Sequence, residues 1–279
     1  MCDLNNKEWF VAVDPGKVNF AFIIEEVDKD MLKDIICPSK KDRFIKNGRK
    51  DITPTEKYTN FLEEFYHCGK TIICSNNDIT NEIKDVEDVK DVKDVKGVKG
   101  VKDVKDVKDV KDVKDVKDVK DVKDVKDVKD VKGVKDVKKK GSRSLDANVF
   151  LKLTKLLDDH KEYFDKCSTI IIEQQMSFGS RINTMAIKIA QHTYSYFLFK
   201  YGNSKKIIEF PSYNKTQILG APAGLDKPKR KKWAIEKANE IWTLRGDMDT
   251  IDMINKKKKK DDMSDCLLHV LSYIIHNYY

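Results

Sequence analysis

The sequence predicts an α/β fold, a mixed central sheet with helices on both faces, interrupted by a low-complexity insertion. Three observations carry that expectation. Two apolar runs, "WFVAV" (9–13) and "VNFAFII" (18–24), lie close enough to pair as a hairpin. Beyond residue 145, segments of helical periodicity alternate with short continuous apolar runs. Between these halves, residues 84–140 form a near-perfect Val-Lys-Asp repeat.

The elements follow in order. Pro15-Gly16 ends the first run and turns the chain. Segments 31–37 and 70–75 ("KTIICS") are both strand candidates, and either can supply the third strand. After the repeat, "DANVFLKLTKLLDDHKEYF" (146–164) sets Val149, Leu153, Leu156 and Leu157 on one helical face, with Asp146 as N-cap. "STIIIEQQ" (168–175) has the unbroken apolar character of a strand covered on both faces. A helix is expected over about 181–200, a strand over 206–210, and a helix over about 229–243 after "GAPAGLDKP". The last helix starts near Asp262 and turns Leu267, Leu268, Leu271 and Ile275 into a core.

A Val every third residue fits neither the 3.6 period of a helix nor the alternation of a strand. Lys stands four residues before Asp, the weaker orientation for a helical ion pair. The repeat therefore reads as a disordered or weakly helical insertion (84–140) in a single domain made of 1–83 and 141–279. It holds 20 Lys against 15 Asp and one Glu, half of the chain's net charge of +8. The basic character elsewhere is local, in "KPKRKK" (227–232) and "KKKKK" (256–260), where like charges point either to a polyanion or to a solvated loop. Six Cys at 2, 37, 68, 74, 167 and 266 form no CxxC pair, so neither a disulfide framework nor a zinc site is signalled. No apolar run reaches membrane-spanning length and no targeting segment is evident; a soluble, intracellular protein without a membrane partner is expected.

Asp14 ends one apolar strand and Glu173 ends another. If those strands run side by side and parallel, both acids emerge at one edge of the sheet. "KKDDMSDCLLH" (259–269) adds Asp262 and Asp265, three apart and so on one helical face. Each has a bland reading: an acid in a Pro-Gly turn, or acids favoured by the dipole at a helix start. Their combination favours a metal centre, because four converging carboxylates repel one another unless a cation neutralises them. All-oxygen ligation suits Mg²⁺ or Mn²⁺, and two such ions about 4 Å apart serve phosphodiester hydrolysis.

The ordered set "VAVDPGKVNFAF", "IIIEQQ" and "KKDDMSDCLLH" resembles the RuvC-like Holliday junction resolvases of the ribonuclease H-like superfamily, above all those of poxviruses and other large DNA viruses. The resemblance implies that Asp14, Glu173, Asp262 and Asp265 are the catalytic, metal-binding acids, with two Mg²⁺ per site and Asp261 an adjacent acid of unassigned role. It implies a homodimer that nicks opposed strands of four-way junction DNA, in the host cytoplasm or nucleus if the source is viral. It makes the helix at 181–200 part of the dimer contact, although ordinary core packing accounts for the same side chains. It assigns DNA contacts to Gln174, Arg181, Asn183, Lys215, Lys231 and Lys232, with Lys259 and Lys260 flanking the acids and Phe178 as a base-stacking candidate. The tripeptide repeat departs from the family pattern. His269, next to Leu267 and Leu268, reads as a packed or surface histidine rather than a base.

Three other functions compete. A ribonuclease H-like nuclease for RNA–DNA hybrids or other branched DNA would share the acids. An actin-like or sugar-kinase ATPase needs a late Gly-Gly adenosine motif, and no Gly follows Gly246. A junction-binding protein without chemistry has no use for clustered negative charge facing DNA.

Overall fold

The computed structural model describes residues 6–47, 52–80, 146–176, 182–257 and 259–279. The repeat at 84–140, Phe178 and Arg181 lie outside the described residues. The described residues on both sides of the repeat belong to one unit.

A five-stranded mixed sheet has the order β5-β2-β1-β6-β7. Its strands are β1 (Lys7–Pro15), β2 (Phe20–Asp28), β5 (Gly69–Asn77), β6 (Cys167–Gln174) and β7 (Lys206–Pro211). β1 and β2 form the expected antiparallel hairpin, and β5 extends it on the far side of β2. Gly16 is demanded by the hairpin turn: its N–H reaches the Asp14 carbonyl at 2.9 Å, and a Cβ there would sit 2.3 Å from the Asn19 carbonyl oxygen. β6 runs parallel to β1, and β7 parallel to β6.

The alternation of side chains along each strand divides the core in two. Phe10, Ala12, Ala21, Ile23 and Ile171 face α2 (Glu56–His67), α7 (Lys227–Leu244) and α9 (Asp261–Tyr278). Val11, Val13, Phe22, Ile170 and Ile172 face α3 (Ala147–Asp159), α4 (Lys161–Phe164) and α5 (Thr184–Tyr201). Both faces of the sheet are therefore covered, which is why β1 and β6 read as unbroken apolar runs. The end of α7 is tied beneath the hairpin by buried polar contacts. Arg245 donates to Glu25 at 2.8 Å, and the Trp242 indole N–H donates to Thr71 at 3.0 Å.

Two expectations need correction. Segment 31–37 is not a strand: α1 (Lys29–Asp34) forms there because the Asp28 carboxylate accepts from the N–H groups of Asp30 and Met31. Ile36 is 88% exposed while Leu32 is buried and Ile35 packs against the core, the three-residue spacing of a helical face rather than the alternation of a strand. The third strand is β5, from the other candidate. The helix expected over 146–164 divides into α3 and α4 at His160, although Asp146 does cap it, accepting from the Val149 N–H at 3.1 Å.

Among the described residues, five further strands and α-helices were not anticipated, one of them α2. β3 (Phe44–Lys46) and β4 (Ile52–Pro54) form a separate two-stranded hairpin. α6 (Tyr213–Ile218) and α8 (Met248–Asn255) bracket α7.

Candidate active site

The parallel pairing of β1 and β6 sets Val13 opposite Ile172, so the next residues, Asp14 and Glu173, stand side by side where that pairing ends. Strand parity then fixes their direction. Asp14 shares a face with Phe10 and Ala12, and Glu173 with Ile171, and that face is packed by α9. α9 carries Asp262 in its first turn and Asp265 one turn on, so the third acidic motif is delivered to the same edge. Asp14, Glu173, Asp265, Cys266 and His269 line one small space, and Asp262 does not reach it.

Burial is the first influence on each of the four carboxylates, and the charges around them come second. Burial, and then the charge of Glu173, push the Asp14 carboxyl well above its ordinary range. Burial acts on Glu173 in the same direction. It is outweighed by the Lys215 ammonium and by a hydrogen bond with Asp14, which hold Glu173 below its ordinary value. Asp14 and Glu173 thus titrate as a pair, in which Asp14 is the member that takes up a proton first as pH falls. Burial also raises Asp262 and Asp265, with the neighbouring Asp261 carboxylate adding to the rise at Asp262.

Lys215 is the positive charge at the centre. β7 ends opposite Gln174, so the chain after Pro211 enters α6 at the same edge and turns Lys215 inward. Its ammonium lies 3.1 Å from Asp265 and 3.5 Å from Glu173, bridging strand and helix. Burial alone would lower its pKa, but Glu173, Asp265 and Asp14 together raise it. Asp261 is neutralised separately by a hydrogen-bonded ion pair with Lys231 of α7; burial opposes ionisation there, and Lys231 outweighs it.

Among the described residues, no group of three or more His, Cys, Asp or Glu side chains stands, as placed, in an arrangement that holds a metal ion. The donor chemistry nonetheless fits a hard divalent cation, since all four acids offer oxygen. The buried Asp262 Oδ2 has no hydrogen-bond partner among the described residues, an unmet demand for positive charge.

The other expected site residues divide. Gln174, Asn183, Lys215 and Lys231 line a groove of about 470 Å³ together with Glu173 and Asp265. Asn183 also caps α5, accepting from the Ala186 N–H at 3.2 Å. Lys232, Lys259 and Lys260 do not line it: Lys232 is exposed beside Glu236, Lys259 is exposed, and Lys260 donates to Asn255 at 2.8 Å. His269 is packed, its ring 5.2 Å from that of Phe210, and burial lowers its pKa to about 4, which keeps it neutral.

Tyr213, Lys227 and Arg230 join the groove without having been singled out. The two cations were visible within "KPKRKK", but nothing in the run distinguished its inward from its outward members. No helix among the described residues is long and apolar enough to cross a membrane.

No protein-family model matches the chain. It is 35% identical to "Uncharacterized protein 170L" of Invertebrate iridescent virus 6 over 145 aligned positions, 45% of this chain and 57% of that protein. It is 31% identical to "Uncharacterized protein 97L" of Invertebrate iridescent virus 3 over 136 positions, 49% of this chain and 62% of that protein. The chain therefore spans less than two thirds of either viral relative, and neither relative's name states an activity.

Proposed function

We propose that the chain is a metal-dependent endonuclease of ribonuclease H-like fold that resolves four-way DNA junctions, acting as a homodimer. The observation that carries this reading is that Asp14, Glu173 and Asp265, from two parallel strand ends and one helix, line one small space, with Asp262 three residues earlier on the same helix and near enough to raise the Asp14 carboxyl. Clustered buried carboxylates are costly to a fold that does not use them. A pair of Mg²⁺ or Mn²⁺ ions would supply an activated water and stabilise the leaving oxygen.

The chain's own residues do the rest. Asp14, Glu173, Asp262 and Asp265 would hold the ions, and the Lys215 ammonium balances the charge of Glu173 and Asp265 without them. Lys227, Arg230 and Lys231 line the adjoining groove and favour a phosphate backbone. Gln174 and Asn183, in the same groove, offer amides to the sugar-phosphate chain. Support for the dimer comes from α5, where Leu198 and Phe199 are exposed, Phe199 by 89%. The two relatives are iridescent-virus proteins, which agrees with a viral source for the chain.

The test is cleavage of a substrate panel, with four-way junction, flap, RNA–DNA hybrid and linear duplex each incubated with and without Mg²⁺. Paired, symmetric, Mg²⁺-dependent nicks in the junction are expected, with the other substrates cut far more slowly. Preferential cutting of the hybrid would reassign the substrate, and metal-independent activity would reject the mechanism.

A further inference from the structure

We propose that a second cavity, next to the acidic centre, receives one unpaired nucleotide of the bound DNA strand; this rests on the nuclease reading above. The cavity measures about 550 Å³, within the size range of small-molecule sites. One wall is the β3–β4 hairpin, which contributes Phe44, Lys46 and Ile52. The other is α6 with the loop that follows it, contributing Tyr213 and Leu225.

Three observations identify the occupant. First, the charged residues among the described residues of the lining are Lys46 and Arg230, both cationic. Second, the remaining surface is largely apolar or aromatic, and Tyr213 is 59% exposed, free to offer a ring face. A flat apolar ring carrying a phosphate matches that combination, and nucleobases stack on such side chains whatever their identity. Third, Tyr213, Thr216 and Arg230 line both this cavity and the groove that contains Glu173 and Asp265. A strand lying across the acids can thus continue into the cavity without leaving the surface.

The walls are fixed in advance. Gly220 has φ +77°, and a Cβ there would lie 2.5 Å from Pro54 Cγ, so the loop after α6 is pressed against β4. The Tyr58 hydroxyl donates to the Ile218 carbonyl at 2.8 Å, holding the end of α6 to α2. The occupant must be unpaired, because a base within a duplex has its faces stacked and its edge engaged. A pair that opens at the branch point supplies such a base, at the cost of its unpairing and unstacking. A free mononucleotide presents the same chemistry, and the experiment separates the two sources.

Full-length protein is photocrosslinked to four-way junctions bearing 5-iodouracil at single positions around the branch point, without Mg²⁺, and the adducts are mapped by mass spectrometry. The expected result is an adduct on Tyr213 or Phe44 from a branch-point position, and none from the same base in a linear duplex. Ile52→Trp, which fills the cavity, should abolish the Tyr213 adduct. Lys46→Glu, a change at an exposed hairpin residue, should weaken junction binding and reduce its salt slope by about one. A thermal-shift titration with dTMP forms the second arm, and no saturable shift is expected. Adducts confined to residues outside the cavity, or equal adducts from duplex, overturn the proposal. So does saturable dTMP binding that junction DNA does not displace, which would make this a mononucleotide site. If the cavity fails while Asp14→Asn still abolishes metal-dependent nicking, the nuclease reading stands alone. If the parent cuts no substrate with Mg²⁺, both readings fall.

Discussion

Asp14→Asn is expected to lose Mg²⁺-dependent nicking by more than about a hundredfold, the upper end of what removing an outer-shell partner of a metal costs, while keeping its junction affinity. The same substitution should raise thermal stability by a few degrees in metal-free buffer. Burial and the Glu173 charge hold the Asp14 carboxyl well above 3.8. Below pH 3.8 the group is protonated in both folded and unfolded chains and exerts no bias. As pH rises from there through the folded value, the unfolded chain releases a proton that the folded chain retains, and stability falls. Asn cannot take part in that fall, so parent and variant should diverge in melting temperature as pH rises towards neutrality. Mg²⁺ should reverse the order by stabilising the parent and leaving the variant unmoved. A variant that cuts like the parent, or that melts lower than the parent at neutral pH without metal, contradicts this assignment. Gain of stability with loss of function is the usual mark of a residue kept for chemistry.

Lys215→Met should have the largest effect on the fold. Met approximates the length of the side chain but removes the ammonium that bridges Glu173 and Asp265. Breaking a buried ion pair by removing one partner costs about 3–5 kcal/mol, or roughly 10 °C in melting temperature for a domain of this size. Glu173 should then lose its depressed pKa, because Lys215 is the first influence that opposes its burial. The stability that a lowered carboxylate contributes is present above its unfolded value of 4.5 and lost as pH falls through the folded value. The deficit of the variant should therefore be large near neutral pH and small in acid. Millimolar Mg²⁺ should restore more stability to the variant than it adds to the parent, since the ion and the ammonium neutralise the same carboxylates. Equal melting curves at neutral pH, or no added response to Mg²⁺, would show that Lys215 is not the counter-ion of the cluster.

Much of this architecture was legible in the chain. Unbroken apolar runs ending in Asp14 and Glu173 marked two strands covered on both faces, and the three-residue spacing of Asp262 and Asp265 marked one face of a helix. What joins them, the parallel pairing that brings Val13 opposite Ile172, is a long-range contact that no local pattern encodes.

The misreading at 31–37 has a local cause. Leu32, Ile35 and Ile36 suggested a strand, while the capping carboxylate of Asp28, just upstream, decided for a helix. Two missed elements carried signals of their own. Thr55 caps α2 and accepts from the Tyr58 N–H at 3.2 Å, and Tyr58, Phe61, Leu62 and Phe65 follow at helical spacing. Asn47-Gly48 between β3 and β4 is a strong hairpin dipeptide. Lys215 was harder. Sequence can mark a lysine as basic, but whether it faces solvent or three carboxylates depends on where β7 ends relative to β6.

The most direct measurement is a crystal structure of the full-length protein grown with Mn²⁺ and read by its anomalous signal. Peaks are expected about 2.1 Å from carboxylate oxygens of Asp14 and Glu173 and of Asp262 or Asp265, with the Lys215 ammonium moved out of the space between Glu173 and Asp265. Manganese absent from this edge under saturating conditions, or bound only elsewhere with Lys215 still in place, would contradict a metal-dependent nuclease centred on these four acids.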